Sequence, residues 1–213
     1  MKLLFVTATN TNVGKTYTTI KLIESFAKQG TLVGVCKPIE TGVESSPVDA
    51  TLLLKTIQRY NPNFKKFTPR DITAYTFELP AAPFCADREK SIEIPKIKEK
   101  IAELQKYCDL LIIEGAGGLL VPITKAYSMI DLLKEVEGTT LLVTSSRLGS
   151  INDTQLSMEA LKSRNISFDW CVNLYEDRDD FEKVTQPFYD TAYPNWWSID
   201  SGLDRFCKSI LVK

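Results

Sequence analysis

The chain has 213 residues, of which 44% are hydrophobic and 25% charged, with a formal net charge of −1. This suits one domain with a full core, argues against a nucleic-acid-binding surface as the main role, and leaves no apolar run long enough for a membrane span. The chain has no histidine, which excludes His-dependent triads and His-ligated zinc.

The five cysteines are scattered without a C-x-x-C pair, as in a protein kept reduced in the cytoplasm. Only Met1 and Lys2 precede the first apolar run, so no signal peptide is expected.

Residues 3–6 read as a buried strand, followed by a loop of small polar residues (7–12), then Gly14-Lys15-Thr16 and a helical pattern. Strand, loop and helix start in that order form a phosphate cradle, because the N–H groups at a helix N-terminus have no intrahelical partner. Lys15 would add charge at the outer phosphates and the Thr16 hydroxyl would hold Mg²⁺. Thr9 stands where the standard spacing has a glycine.

The helix over 17–29 places Ile20, Ile23 and Ala27 on one face and stops at Gly30. A second strand over 31–37 runs into the loop Pro38-Ile39-Glu40-Thr41-Gly42. Pro47 and Asp49 open a helix over 48–60, and 61–72, polar with Pro62 and Pro69, reads as surface loop. Pro80 and Pro83 break regular structure, with a short helix expected from Cys85. A helix from Pro95 carries Ile97, Ile101 and Leu104 on its inner face, and its Lys and Glu residues form a solvated face.

The third strand, 109–114, ends in Glu114-Gly115-Ala116-Gly117-Gly118. A helix over 128–137, a strand over 139–144, a helix capped by Asn152-Asp153 and running to 163, and a strand over 167–174 follow. Residues 176–213 carry no legible pattern. Strands alternating with helices make an α/β fold, a P-loop NTPase in one domain over 1–213, with a mostly parallel central sheet and helices on both faces.

Ligands of such sheets bind outside the carboxyl ends of the strands. Four polar clusters fall there: the phosphate loop, 37–42, 114–118 and 145–152. A lone Lys37 after a strand is ordinarily a surface charge, and a lone Glu114 a strand-end cap. On one edge with a phosphate loop they acquire chemical meaning. Mg²⁺ takes oxygen ligands, which Thr16, Asp49 and Glu114 would supply, and a lysine beside transferring phosphate stabilises growing charge. That defines phosphoryl transfer to a small acceptor and leaves the acceptor open.

Thr-Asn-Val-Gly-Lys-Thr (11–16), Lys-Pro-Ile-Glu-Thr-Gly (37–42), Asp-Ala (49–50), Glu-Gly-Ala-Gly-Gly (114–118) and Leu-Gly-Ser-Ile-Asn (148–152) together resemble the dethiobiotin synthetase family in order and spacing over residues 3–175. The resemblance implies ring closure of dethiobiotin from 7,8-diaminononanoate, CO₂ (or bicarbonate) and ATP with Mg²⁺, through a carbamate and a carbamic–phosphoric anhydride. Lys15 and Lys37 would hold the carbamate and γ-phosphate, and Thr16, Asp49 and Glu114 the metal. Asn12, Val13, Gly14, Lys15, Thr16, Tyr17, Asp49, Glu114, Gly115, Ala116, Gly117 and Asn173 would contact the nucleotide, Asn173 at its base. Thr11, Lys37, Thr41, Gly117, Gly118, Leu148, Gly149 and Asn152 would contact the diamine. The segment 148–152 would serve the partner subunit of a cytoplasmic homodimer, with no nucleic acid and no membrane involved.

Ala8 stands where the family's loop has glycine, Asn12 where Glu is common, and Phe84 and Asp153 where histidines are frequent. In place of a Pro-rich base loop comes Tyr193-Pro194-Asn195-Trp196-Trp197, whose indoles suit either stacking on a base or packing in a core or interface. ATP is expected, with weak discrimination against other triphosphates. Three rivals fit less well. A nucleotide-switch ATPase of the partition or cell-division-positioning type would carry an extra lysine within 8–13 and a stronger terminal amphipathic helix than 203–212. An amidase of cobalamin synthesis would need an attached glutaminase. A fold that has lost catalysis would not need Lys37, Asp49 and Glu114 together.

Overall fold

The computed structural model describes residues 2–175 and 177–212. In chain order it contains β1 (Lys2–Ala8), α1 (Lys15–Lys28), β2 (Val33–Cys36), β3 (Ile39–Thr41), α2 (Val48–Ile57), β4 (Tyr75–Phe77), α3 (Pro83–Ala86), α4 (Ile94–Gln105), β5 (Leu110–Glu114), β6 (Pro122–Thr124), β7 (Tyr127–Ser128) and α5 (Met129–Val136). There follow β8 (Thr139–Ser145), α6 (Ser150–Lys162), β9 (Phe168–Asn173), α7 (Arg178–Asp180), a π turn (Phe181–Thr185), α8 (Gln186–Ala192) and α9 (Ile199–Val212).

Apolar runs become strands because both their faces are covered, the usual condition of parallel strands. The main sheet has the order β2-β5-β1-β8-β9 and every pairing in it is parallel. All five residues of β5 are buried. Leu4 of β1 lies opposite Ile112 of β5 on one side and Thr139 of β8 on the other. The strand order therefore turns around at β1, which opens a crevice at its carboxyl end.

Helix α4 covers the sheet with the face its spacing predicts, Ile97, Ile101 and Leu104, whereas α1 buries Leu22, Ile23 and Phe26 and leaves Ile20 and Ala27 only partly buried, so its inner face is turned from the expected one. At α5 a capping box sets the start, with Asp131 Oδ2 accepting from the Ser128 backbone N–H at 2.7 Å and hydroxyl at 2.6 Å.

Three expectations change, the first only in part. Residues 61–72 lie mostly at the surface, as expected, but three of them pin the segment to the core. Asn61 is fully buried and donates to the carbonyls of Val33 (2.7 Å) and Tyr107 (3.0 Å), while Phe64 and Ile72 enter the core from two short 3₁₀ turns. Polar residues and prolines make up most of that composition, but two apolar anchors decide its position. The helix expected to be capped by Asn152-Asp153 begins earlier, at Ser150, behind Gly149 at φ +90°. Asp153 instead accepts from Arg147 at 2.5 Å.

The third change is at the end of the chain, where 177–212 is largely helical. Tyr189 is fully buried and shares a 3.1 Å hydrogen bond with Thr154. Trp197 stacks on Phe206 at 5.2 Å and donates to Asp169 at 3.0 Å. Asp204 of α9 accepts from Ser25 of α1 at 2.6 Å. Among the described residues no helix is long and apolar enough to cross a membrane.

Candidate active site

Ala8 does not strain the phosphate loop. It is the last residue of β1, opposite Val143, and the positive φ angles fall further on, at Asn12 (+58°) and Gly14 (+92°). Gly14 is favoured for two reasons: its backbone is left-handed, and a Cβ there would sit 2.0 Å from Asn173 Nδ2 and force that amide to move. Asn173, buried at the end of β9, donates to the Val13 carbonyl at 3.1 Å, and the Tyr175 hydroxyl donates to the Asn12 carbonyl. The loop is thus held from behind by the strand two places away. On another side Gly118 presses against it, where a Cβ would come 3.1 Å from the Thr9 carbonyl oxygen.

Lys15 opens α1 and folds back to donate to the Asn10 carbonyl at 3.1 Å. Burial and the neighbouring Lys37 charge depress its ammonium to about 8. Two strands across the sheet from β1, Lys37 leaves the end of β2 and reaches the end of β5. Its Nζ lies 2.6 Å from Glu114 Oε1, 3.0 Å from Asp49 Oδ2, and 3.4 Å from the Gly115 carbonyl. The Thr16 hydroxyl donates to the same Glu114 oxygen at 2.9 Å. Burial works against the Lys37 charge, but Glu114 and then Asp49 more than offset it, so the ammonium is held charged. Burial also works against Asp49, yet Lys37 and the Thr16 hydroxyl keep its carboxyl below the ordinary range.

These residues fit a Mg²⁺ site. Thr16, Asp49 and Glu114 offer oxygen only, and Glu114 Oε2 is buried with no hydrogen-bond partner, an orphaned acceptor of the kind a cation satisfies. Among the described residues no group of three His, Cys, Asp or Glu side chains gathers. Two carboxylates and a hydroxyl are the sort of set that substrate phosphates and water complete.

A cavity of about 710 Å³ opens over this cluster. Thr11, Asn12, Gly14, Lys15 and Thr16 of the phosphate loop line it together with Lys37, Thr41, Asp49, Ala116 and Gly117. Ile39 and Glu40, within the expected 37–42 cluster but without an expected contact, also line it, as do Val121 and the segment 80–83, which no motif contains. The prolines at 80 and 83 were the signal available for that wall. Val13 is buried beneath the loop and Tyr17 is exposed on α1 beside Lys21. Leu148, Gly149 and Asn152 stand apart from the cavity lining, with Leu148 81% exposed.

A family model described as an AAA domain matches residues 2–172. A curated ATP-dependent dethiobiotin synthetase of Sulfurovum sp. is 59% identical over 210 residues, covering 99% of this chain and all of that one. The chain belongs to the dethiobiotin synthetase family. A second curated dethiobiotin synthetase, from Wolinella succinogenes, is 37% identical over 99% of both chains. A plasmid partition protein from Borrelia burgdorferi superposes with a TM-score of 0.57 over 99% of this chain and 96% of its own, at 10% sequence identity. At that identity the likeness carries the fold alone.

Proposed function

We propose that the chain is an ATP-dependent dethiobiotin synthetase of biotin synthesis, taking 7,8-diaminononanoate, CO₂ and ATP in one domain over 1–213. The observation that carries this reading is Lys37, a buried ammonium between Asp49 and Glu114, beside a phosphate loop. A loop that only binds nucleotide needs no second lysine fixed in that way.

In the reaction, one amine adds to CO₂ and loses a proton to give a carbamate. A carbamate oxygen attacks the γ-phosphorus, the bond to the bridging oxygen breaks, and ADP leaves. The second amine adds to the carbonyl of the resulting carbamic–phosphoric anhydride and expels phosphate, which closes the ring. Phosphorylation turns a poor leaving oxygen into a good one.

Lys37 faces the point where the carbamate and γ-phosphate oxygens meet, and its fixed charge offsets theirs as the bond forms. Lys15 moves from the Asn10 carbonyl to the outer phosphates. The loop N–H groups at 12–17 and the glycine backbone at 115–117 orient the triphosphate. Thr16, Asp49 and Glu114 would hold Mg²⁺, which neutralises phosphate charge. Thr11, Thr41, Gly117 and Gly118 face the diamine end. Leu148, Gly149 and Asn152, standing off their own cavity, serve that of a second subunit in a homodimer, and Asn173 lies on the side where the base enters. The enzyme acts in the cytoplasm, without nucleic acid or membrane.

The test is to incubate the protein with the diamine, bicarbonate, Mg²⁺ and ATP. A product of the mass of dethiobiotin, formed one for one with ADP, is expected. ATP hydrolysis without that product refutes the reading.

A further inference from the structure

We infer that Glu40 is a positioning residue: it caps helix α2 from a neighbouring strand and thereby fixes Asp49 against Lys37. The inference rests on the reading of Asp49 as a Mg²⁺ ligand.

Helix α2 begins without a cap of its own. Its N-cap position is Pro47, whose side chain accepts nothing, and no side-chain hydrogen bond is made there. The first N–H groups of a helix need acceptors, and a carboxylate near them also meets the positive end of the helix dipole. Glu40 of β3 supplies both needs. Its Oε1 accepts the Asp49 N–H at 2.9 Å and its Oε2 accepts the Ala50 N–H at 2.9 Å. The side chain is buried, with the residue 6% exposed.

Asp49 is one of the two residues so held, and its own carboxylate points the other way, onto Lys37 at 3.0 Å. Residues 37–41 therefore build the site twice: Lys37 enters it directly, and Glu40 sets the backbone that carries Asp49. Both Glu40 oxygens are engaged by N–H groups, and among the described residues no ion pair joins Glu40 to Lys37. Although Glu40 also lines the cavity, both its hydrogen bonds run to the backbone of α2, so its action on the site passes through Asp49.

The experiment measures Mn²⁺ binding by electron paramagnetic resonance to the full chain with a non-hydrolysable ATP analogue. Glu40→Ala is expected to weaken Mn²⁺ about tenfold, the scale for a group that orients a metal ligand, while leaving analogue affinity without metal unchanged. Glu40→Gln keeps the shape and one acceptor oxygen, so it should fold even where the alanine variant does not, with a smaller loss. Asp49→Asn should weaken Mn²⁺ by itself, and adding Glu40→Ala to it should cost nothing further.

Wild-type Mn²⁺ affinity in Glu40→Gln, or losses that multiply in the double variant, would overturn the inference while leaving Asp49 as a ligand. Unchanged Mn²⁺ binding in Asp49→Asn would remove the metal assignment, and the inference with it.

Discussion

Lys37 and Glu114 form an ion pair of 2.6 Å with side chains 4% and 0% exposed, beneath a phosphate loop contributed by neither. Removing one member of a buried pair strands the other charge, at about 3 kcal/mol or more. Lys37→Met should therefore lower the urea unfolding free energy by about that amount in metal-free buffer. It should also abolish turnover while nucleotide affinity stays within a few-fold. Normal turnover would take Lys37 out of the mechanism.

Asn152 stands on the first turn of α6, away from its own cavity. Steady-state kinetics of Asn152→Ala should show a raised KM for the diamine with the ATP KM little changed. The opposite pattern would move this residue to the nucleotide side.

Gly14 combines a left-handed backbone with no room for a Cβ. Gly14→Ala should abolish measurable ATP binding by calorimetry. Asn173→Ala added to it removes the 2.0 Å contact but not the φ of +92°, so only partial recovery is expected. Wild-type affinity in the single variant would show the loop to be more plastic than its packing implies.

Asp87 ties the start of the segment before α4, accepting from the Ser91 N–H (2.9 Å), the Ser91 hydroxyl (3.0 Å) and the Ile92 N–H (2.9 Å). Burial lifts its carboxyl, but those donors outweigh it and hold the group below its ordinary range. The stabilisation is therefore complete above about pH 4, the unfolded value, and is lost as the pH falls through the lower folded value. Asp87→Ala should be less stable than wild type by about 2 kcal/mol at pH 7. Urea midpoints should show that gap intact at pH 5 and closing below pH 4, and a constant gap down to pH 2 would contradict the assignment.

Trp196 donates to Asp190 at 2.6 Å and packs on Phe181 at 5.7 Å. Trp196→Ala should lower thermal stability and leave ATP affinity unchanged. A loss of affinity in nucleotide titration would restore base stacking as its role.

The strands of the main sheet were legible because most of them centre on a short apolar run, although Asp169 interrupts β9, and Glu114 stood out as a carboxylate ending one of them. Lys15, Thr16, Lys37 and Asp49 were legible through motif spacing, and they do converge. Glu40 was named in its motif, but its work was hidden, since its partners at 49 and 50 lie across a loop and no periodicity encodes that reach. In 61–72 the polar majority masked Phe64 and Ile72. In the last segment, burial of Tyr189 and Trp197 depends on partners far away in the chain, at Thr154 and Asp169.

The middle strand of the sheet precedes both of its neighbours in the chain. β1 finds its two neighbours only when β5 and β8 have been made, so on the ribosome the phosphate loop emerges long before anything exists to hold it in shape. The nascent chain must carry an unpaired apolar segment until those later strands emerge. Slow codons or a pause after β8 would give that segment time to be captured, and a stall before β8 would leave it open to aggregation.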